Sequence, residues 1–344
     1  MGILSRRKSL LGVDLGSSCV KIVEFSRNGS NSITVSGYGR CEVTEDVETA
    51  LRRAIESAGT HTRNTVSSVS GRSVIVKYVN IMKMPESELK QAMEYELDKY
   101  IPFPVEDCVF DCQKLDIGDD YSDKNNQMKV LIVAVKRSLI DEHHRVLASC
   151  GLNPKAIDVD AFALGNAYEF SISKSENVSD EVTALIDVGA SKTNISIMKG
   201  EACFFTREIS VGGNDLTDII AKKFSQNAEE IEEMKKDPGE ASDLMRDTMV
   251  PIFEDIASEV KLSFDYFENQ FDQQVRRVFL SGGSVQFPGL SGVLSELFGI
   301  GCEVWDPSES LDIDGSQVDV KKMKAEATDL PIAIGLASRI RGNK

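Results

Sequence analysis

One stretch of this 344-residue chain occurs twice, and that repeat constrains the fold more than any other feature. Leu11-Gly12-Val13-Asp14-Leu15-Gly16-Ser17-Ser18 returns as Leu185-Ile186-Asp187-Val188-Gly189-Ala190-Ser191. In each copy a short apolar run meets Asp-x-Gly-small-Ser and then resumes, over residues 20–25 in the first and 193–198 in the second. An apolar run broken by Gly and small polar residues, then continued with β-branched ones, reads as a hairpin. Asp14 and Asp187 lie 173 positions apart (187 − 14). The chain therefore reads as two related halves.

The pattern of apolar residues fills in the rest. A strand at 33–43 leads to a helix at 47–58, whose Val47, Leu51, Ala54, Ile55 and Ala58 share a face and which Gly59 stops. A strand pair at 66–69 and 73–81 follows, and then a compact α/β segment. There Ser87 is expected to cap a helix carrying Leu89, Met93, Leu97 and Tyr100 on one face, ended by Pro102 and Pro104. Strands at 109–115 and 128–135 flank a polar loop at 116–127, and a helix at 139–150 and a strand at 156–159 close the segment. The second half carries a turn at Gly212-Gly213 and a charge-rich helical region at 215–270, interrupted at Pro238-Gly239. A buried strand at 278–281, a helix at 290–298, a strand at 302–305, a solvated acidic loop at 306–319 and a last helix from Pro331 follow.

Composition excludes several classes of function. Lys plus Arg total 39 against 55 Asp plus Glu, a formal charge of −16, so the surface repels nucleic acid and anionic lipid. The longest apolar runs fall far short of the roughly 20 residues of a membrane helix, and residues 1–11 do not form a secretory signal. The expectation is a soluble cytoplasmic protein. Seven scattered cysteines include no CxxC, and Cys108/Cys112 lacks a second ligand pair. His143 and His144 point to different helix faces and His61 sits in a polar turn, so metal hydrolase and Cys or His nucleophile chemistry have no support.

The two Asp-x-Gly hairpins are the strongest chemical signal. Gly16, Ser17 and Ser18 in one tip, and Gly189, Ala190 and Ser191 in the other, offer N–H groups and hydroxyls to phosphate oxygens. Asp14 and Asp187 beside them suit a hydrated Mg²⁺, which keeps several waters. Lys21, seven residues after Asp14, either reaches back over the tip to a phosphate or is a surface lysine on an alternating strand. Gly282-Gly283-Ser284 between strand and helix, and Gly212-Gly213-Asn214, let a backbone lie flat against a ring or phosphate. Glu232 and Lys235 share a helical face, as a clasp for ribose and adenine or as a surface ion pair.

The order of these elements resembles the actin-like ATPase superfamily, which also holds sugar kinases, heat-shock chaperones and the division protein FtsA. Val13–Ser17 and 186–190 match its phosphate loops, 280–283 its adenosine loop, and 160–167 and 332–337 its connecting helices. Within it, Gly12 to Lys21, Ile101-Pro102-Phe103-Pro104, Asp158 to Leu164, Gly212 to Thr217 and Gly282 to Leu290 are similar to the PilM family of type IV pilus assembly. The resemblance implies an α/β, duplicated actin-like (ribonuclease H-like) fold. Residues 1–71 and 157–180 would form one core half, 72–156 a small inserted FtsA/PilM-type subdomain, and 181–344 the second half. It implies ATP or ADP with Mg²⁺ as cofactors. The implied partners are the N-terminal cytoplasmic peptide of a PilN-like inner-membrane protein, other pilus components and further copies of the chain, with membrane contact only through them. Ile101 and Phe103 would line the peptide groove, between core and subdomain, or simply pack the subdomain.

Three functions compete. A nucleotide-binding scaffold needs only the cleft. An ATPase needs a group that orients water, and Asp160 alone has a suitable motif position, with helix capping as its other role. A small-molecule kinase needs a substrate pocket with its own base, for which no residues are left over. A chaperone's peptide-binding domain and the membrane-targeting tail of FtsA have no counterpart before Lys344.

Overall fold

The computed structural model describes residues 8–27, 32–60, 62–115, 126–174, 181–236, 239, 242–287 and 289–341. His61, Pro238 and most of the loop at 116–127 lie outside them. Two compact units divide the chain: Val69–Ser149, and the remainder.

The larger unit is built twice from one plan. Strands β1 (Lys8–Leu15), β2 (Cys19–Arg27) and β3 (Ile33–Glu42) run antiparallel, and β4 (Asn64–Val69) pairs parallel with β1. Between them, helix α1 (Val47–Ala58) buries Leu51, Ala54, Ile55 and Ala58. Asp46 accepts from the Thr49 N–H at its start, and Gly59 at φ 60° ends it in the left-handed region.

The smaller unit has its own sheet of β5 (Val74–Met82), β6 (Cys108–Lys114) and β7 (Gln127–Lys136) in the order β5-β7-β6. The expected strand pair at 66–69 and 73–81 is therefore not a pair: β4 and β5 belong to different sheets. Helix α2 (Glu86–Glu96) starts after Pro85, with no side-chain cap, so Ser87 lies inside its first turn. Proline presets the entry dihedral that Ser87 was expected to cap. Leu89, Met93 and Leu97 pack with Ile101, Met128, Val130, Ile132 and Ala134 as the unit's core. Helix α3 (Arg137–Ser149) completes it.

The next strand, β8 (Asn153–Val159), joins the first sheet in the order β3-β2-β1-β4-β8 rather than closing the inserted segment. After helix α4 (Asp160–Ile172) the plan repeats with β9 (Val182–Val188), β10 (Thr193–Lys199) and β11 (Ala202–Ile209). Helices α5 (Gly213–Phe224), α6 (Ala228–Lys236) and α7 (Ser242–Phe271) lead to β12 (Arg277–Ser281), which pairs parallel with β9 as β4 does with β1. Helix α8 (Leu290–Phe298) and β13 (Cys302–Val304) finish a sheet ordered β11-β10-β9-β12-β13.

Residues 306–319 are not a solvated loop. Pro307, Ser308 and Val318 are buried, and Val35 exchanges backbone hydrogen bonds with Asp312 and Asp314, so the tract straps onto the free edge of β3. Leu311 and Ile313 pack on the core while acidic neighbours face outward, which hides the strap in a charge-weighted reading. Helix α9 (Val320–Ala325), capped by Asp319, leads to α10 (Pro331–Ser338).

The two long-range helices exchange halves. α4 follows the first sheet yet lies on the second, where Ser196 donates to the Ala161 carbonyl at 2.8 Å. α10 ends the second half yet lies on the first sheet, where a Cβ on Gly12 would overlap the Ala333 carbonyl. They cross at Gly335, against the backbone of Ala163. One core of Phe25, Leu164, Phe170, Leu185, Met198, Ala333 and Ile334 thus spans both sheets. A methyl group at Gly335 would overlap the Ala163 carbonyl, so Gly335→Ala should destabilise the protein by at least about 1–3 kcal/mol in urea denaturation.

Candidate functional site

The duplicated hairpins meet at their tips: the Ser17 hydroxyl donates to that of Ser191 at 3.0 Å. Their registers match as well. Asp14 sits opposite Lys21 on β1–β2, and Asp187 sits opposite Asn194 on β9–β10, the same offset of seven. Lys21 Nζ lies 3.1 Å from Asp14 Oδ2. Asn194 Nδ2 donates to Asp187 Oδ2 at 3.4 Å, and Ser281 at the end of β12 donates to Oδ1 at 3.1 Å. Asn194 is thus the second half's counterpart of Lys21, and the repeat already contained that signal.

Glycine permits the backbone crowding around the tips. The Gly213 and Asn214 N–H groups donate to the carbonyls of Gly189 and Ala190. A Cβ on Gly212 would come within 2.8 Å of both those carbonyls, and one on Gly213 would strike Ser284 Oγ. Gly282, at φ 94°, turns β12 directly beneath Val188. Gly16, Gly189, Ala190, Ser191, Gly212, Gly213, Asn214, Gly282 and Ser284 therefore form one contiguous surface with Ser17.

Glu232 and Lys235 are tied to the same surface. They pair at 2.8 Å, and both bond Thr217 Oγ1, whose hydroxyl also reaches the Gly213 carbonyl. They are more than a surface ion pair. Asp160 is not a helix cap. Val159 holds that position, no side chain caps it, and Asp160 instead pairs with Lys192 of the second hairpin at 2.5 Å. Lys192 also lies 3.6 Å from Glu208. Sequence reasoning missed Lys192, although it stands between Ser191 and Thr193 of the second copy. It also missed Asp329, whose carboxylate lies 3.6 Å from Lys21 and which carries no local motif.

Desolvation governs the electrostatics. Burial pushes the Asp14 carboxyl up, and Lys21 opposes the shift. Burial likewise raises Asp187, to about 6, with Lys21 and Asn194 pulling the other way. For Lys21 burial disfavours the charge, but Asp14 and Asp329 outweigh it and hold the ammonium above its usual range. Lys192 follows the same pattern, with Asp160 and Glu208 outweighing burial.

In the smaller unit, Ile101 is part of the core, whereas Phe103 is half-buried with Lys136 Nζ 5.7 Å from its ring centre. Tyr95 on α2 stands exposed. No helix among the described residues is long and apolar enough to cross a membrane.

Duplicated five-stranded sheets, exchanged helices and paired Asp-x-Gly hairpins define the actin-like class. The fold matches a solved PilM-PilN type IV pilus biogenesis complex with a TM-score of 0.84 at 24% identity, over 97% of this chain and 99% of that one. The ethanolamine utilization protein EutJ from Carboxydothermus hydrogenoformans gives 0.54 at 15% identity, over 96% and 89%. Cell division protein FtsA of Bacillus subtilis is 22% identical over 69% of this chain, which spans 60% of the FtsA length. FtsA of Streptococcus pneumoniae is 18% identical over 89% of this chain and 77% of its own. The model of the family described as type IV pilus assembly protein PilM matches residues 12–341, and the chain belongs to that family.

The raised Asp187 carboxyl has a consequence for stability. Its native form binds the proton more tightly than the unfolded chain, whose ordinary value is near 3.8, so its contribution is full below about pH 4 and lost as pH rises through about 6. Each tenfold difference in proton affinity between the folded and unfolded chain is worth ~1.4 kcal/mol. Asp187→Asn should therefore gain stability relative to wild type as pH rises from 4 to 7.5, by up to about 2–3 kcal/mol, in urea melts run at both pH values.

Proposed function

We propose that this chain is a nucleotide-binding scaffold of type IV pilus assembly. It would bind ATP or ADP with Mg²⁺ in the cleft between its duplicated sheets. It would be tethered to the inner membrane by the cytoplasmic N-terminal peptide of a PilN-like protein. The observation that carries the nucleotide reading is the meeting of the two hairpin tips, Ser17 on Ser191, beside a glycine turn that side chains would obstruct. Phosphates would be held by N–H groups and hydroxyls of Gly16, Ser17, Ser18, Ala190 and Ser191, with Lys21 as a point charge; Gly189, whose N–H donates to the Lys192 carbonyl, shapes the second tip. The base and ribose would lie against Gly282, Gly283 and Ser284, with Gly212, Gly213, Asn214, Glu232 and Lys235 on the other side.

The residues fit a hydrated cation. Asp14 and Asp187 are buried carboxylates at matching positions, and Asn194 Oδ1 beside Asp187 is buried without a hydrogen-bond partner. Among the described residues no three acidic, His or Cys groups converge on one point, so Asp14 and Asp187 would hold Mg²⁺ through its waters. When bound, the ion would neutralise phosphate charge. Asp160 is engaged by Lys192, so orienting an attacking water would first require that pair to open. This favours a scaffold over an ATPase with rapid turnover.

Each carboxylate should contribute roughly the 1–3 kcal/mol of a charged hydrogen bond. Asp14→Ala and Asp187→Ala should therefore bind ATP–Mg²⁺ about five- to hundredfold more weakly in calorimetry while remaining folded. Unchanged affinity in both removes the cleft assignment.

The tether reading rests on family membership and on the PilN bound in the structurally similar complex. Of the two expected contacts, Ile101 is buried in the unit's core, and Phe103 packs against that core while remaining half-buried. A half-buried ring beside prolines concentrates binding energy for a short apolar peptide. Phe103→Ala should weaken a PilN-type peptide at least fivefold by fluorescence anisotropy, with the melting temperature lowered only slightly. A lowered melting temperature with unchanged binding would make Phe103 a packing residue.

A further inference from the structure

Asp329 closes the short 3-10 turn Ala327–Asp329 that precedes α10. The backbone of that turn is fixed at Thr328 to the glycine turn of the second half. The Gly282 N–H donates to the Thr328 carbonyl at 2.7 Å, and a Cβ on Gly283 would lie 3.3 Å from Asp329 Oδ1. Its carboxylate faces the first half, with Oδ1 3.6 Å from Lys21 Nζ on β2 and Oδ2 3.4 Å from Arg40 Nη2 on β3. One side chain thus spans the surface proposed for the base and the lysine proposed for the phosphates.

Lys21 is mostly buried between two carboxylates, Asp14 at 3.1 Å and Asp329 at 3.6 Å. A phosphate oxygen at the first hairpin has to compete with one of them. Asp14 is the direct cross-strand neighbour on the same hairpin and makes the shorter contact. Asp329 makes the longer one and has another cation at hand. Arg40 already touches it, and Arg40 Nε is buried with no hydrogen-bond partner. A carboxylate released by Lys21 can satisfy that orphaned donor, so Asp329 is the partner that gives way at lower cost.

We propose that Asp329 is a positioning residue that acts through Lys21, as a built-in competitor for the phosphate of the nucleotide. Phosphate arrival transfers the Lys21 ammonium from Asp329 to the ligand and leaves Asp329 on Arg40. The residue therefore lowers affinity for phosphate-bearing ligands and leaves affinity for the bare nucleoside unaffected. Because Glu326 bonds Tyr38 and lies 3.9 Å from Arg40, the same exchange bears on how residues 306–329 are held to β3. The inference rests on the nucleotide reading above and deepens it.

Calorimetry with adenosine, ADP and ATP on wild type and Asp329→Asn tests it. The amide keeps the shape and removes the competing charge, so ATP affinity should rise about three- to fivefold, the effect of losing one weak ion pair. Adenosine should stay within twofold. ATP binding that is unchanged or weaker in the folded variant overturns the proposal, as does an equal change for adenosine, which marks a structural effect on the glycine turn. In a Lys21→Met background the gain should vanish, and a gain that persists shows that Asp329 does not act through Lys21. The wild-type protein gives an independent check. The Lys21 side-chain ammonium signal in ¹⁵N NMR, assigned with Lys21→Arg, should shift on ATP and not on adenosine, and an unmoved signal overturns the proposal. Wild type that binds neither ligand removes the nucleotide reading itself, which separates the two failures.

Discussion

The crossing of α4 over α10 at Gly335 and Ala163 is the contact on which the rest of the larger unit depends. Two sheets with the same topology have no reason of their own to bring their hairpins tip to tip. Each helix is committed to the opposite half's sheet, and the missing side chain at Gly335 lets the two backbones touch. That contact fixes the distance between sheets. The buried cluster of Phe25, Phe170, Leu185, Met198 and Ile334 fills the space the crossing leaves. Interiors are close-packed and resist continuous deformation, so a shift at the crossing is transmitted to the hairpins rather than absorbed.

What the crossing brings together is costly. Asp14, Asp160 and Asp187 are all almost fully buried, and Lys21 and Lys192 supply the opposing charges. Taking carboxylates out of water costs several kcal/mol each, and pairing recovers it only in part. The upward shift of Asp14 and Asp187, despite nearby ammonium groups, is the signature of that unrecovered cost. Stability alone would favour neutral residues at these places. Retained buried charge is the usual mark of a site that binds something charged, at the expense of the fold.

Much of this was legible in the residues. The repeat predicted the duplication, because Asp, Gly and Ser at fixed offsets in an apolar frame dictate a hairpin locally. The helices at 47–58 and 290–298 have the expected bounds, since each ends at a glycine that adopts positive φ. Partners were less readable than elements. Alternation identifies β4 and β5 as strands but does not say that they join different sheets. Charge misled at 306–319, where Leu311 and Ile313 at period two were the better guide. Asn194 was visible by applying the Lys21 offset to the second copy. Asp329 was not, because its partners Lys21 and Arg40 are about 300 residues away in the chain and meet it only after the halves have closed.

That strap explains how an edge strand is used here. β3 ends the first sheet, and an open edge is a liability unless covered. Val35 covers it with Asp312 and Asp314, and Tyr38 and Arg40 further along the same strand engage Glu326 and Asp329. A single strand of the first half therefore carries contacts to a tract of the second half both near its start and towards its end. Backbone pairing at Val35 does not depend on charge, whereas the contacts at Arg40 do. The contacts at Arg40 are consequently the ones that the arrival of an anion would perturb under the proposal above, whereas the backbone pairing at Val35 would hold the tract on β3.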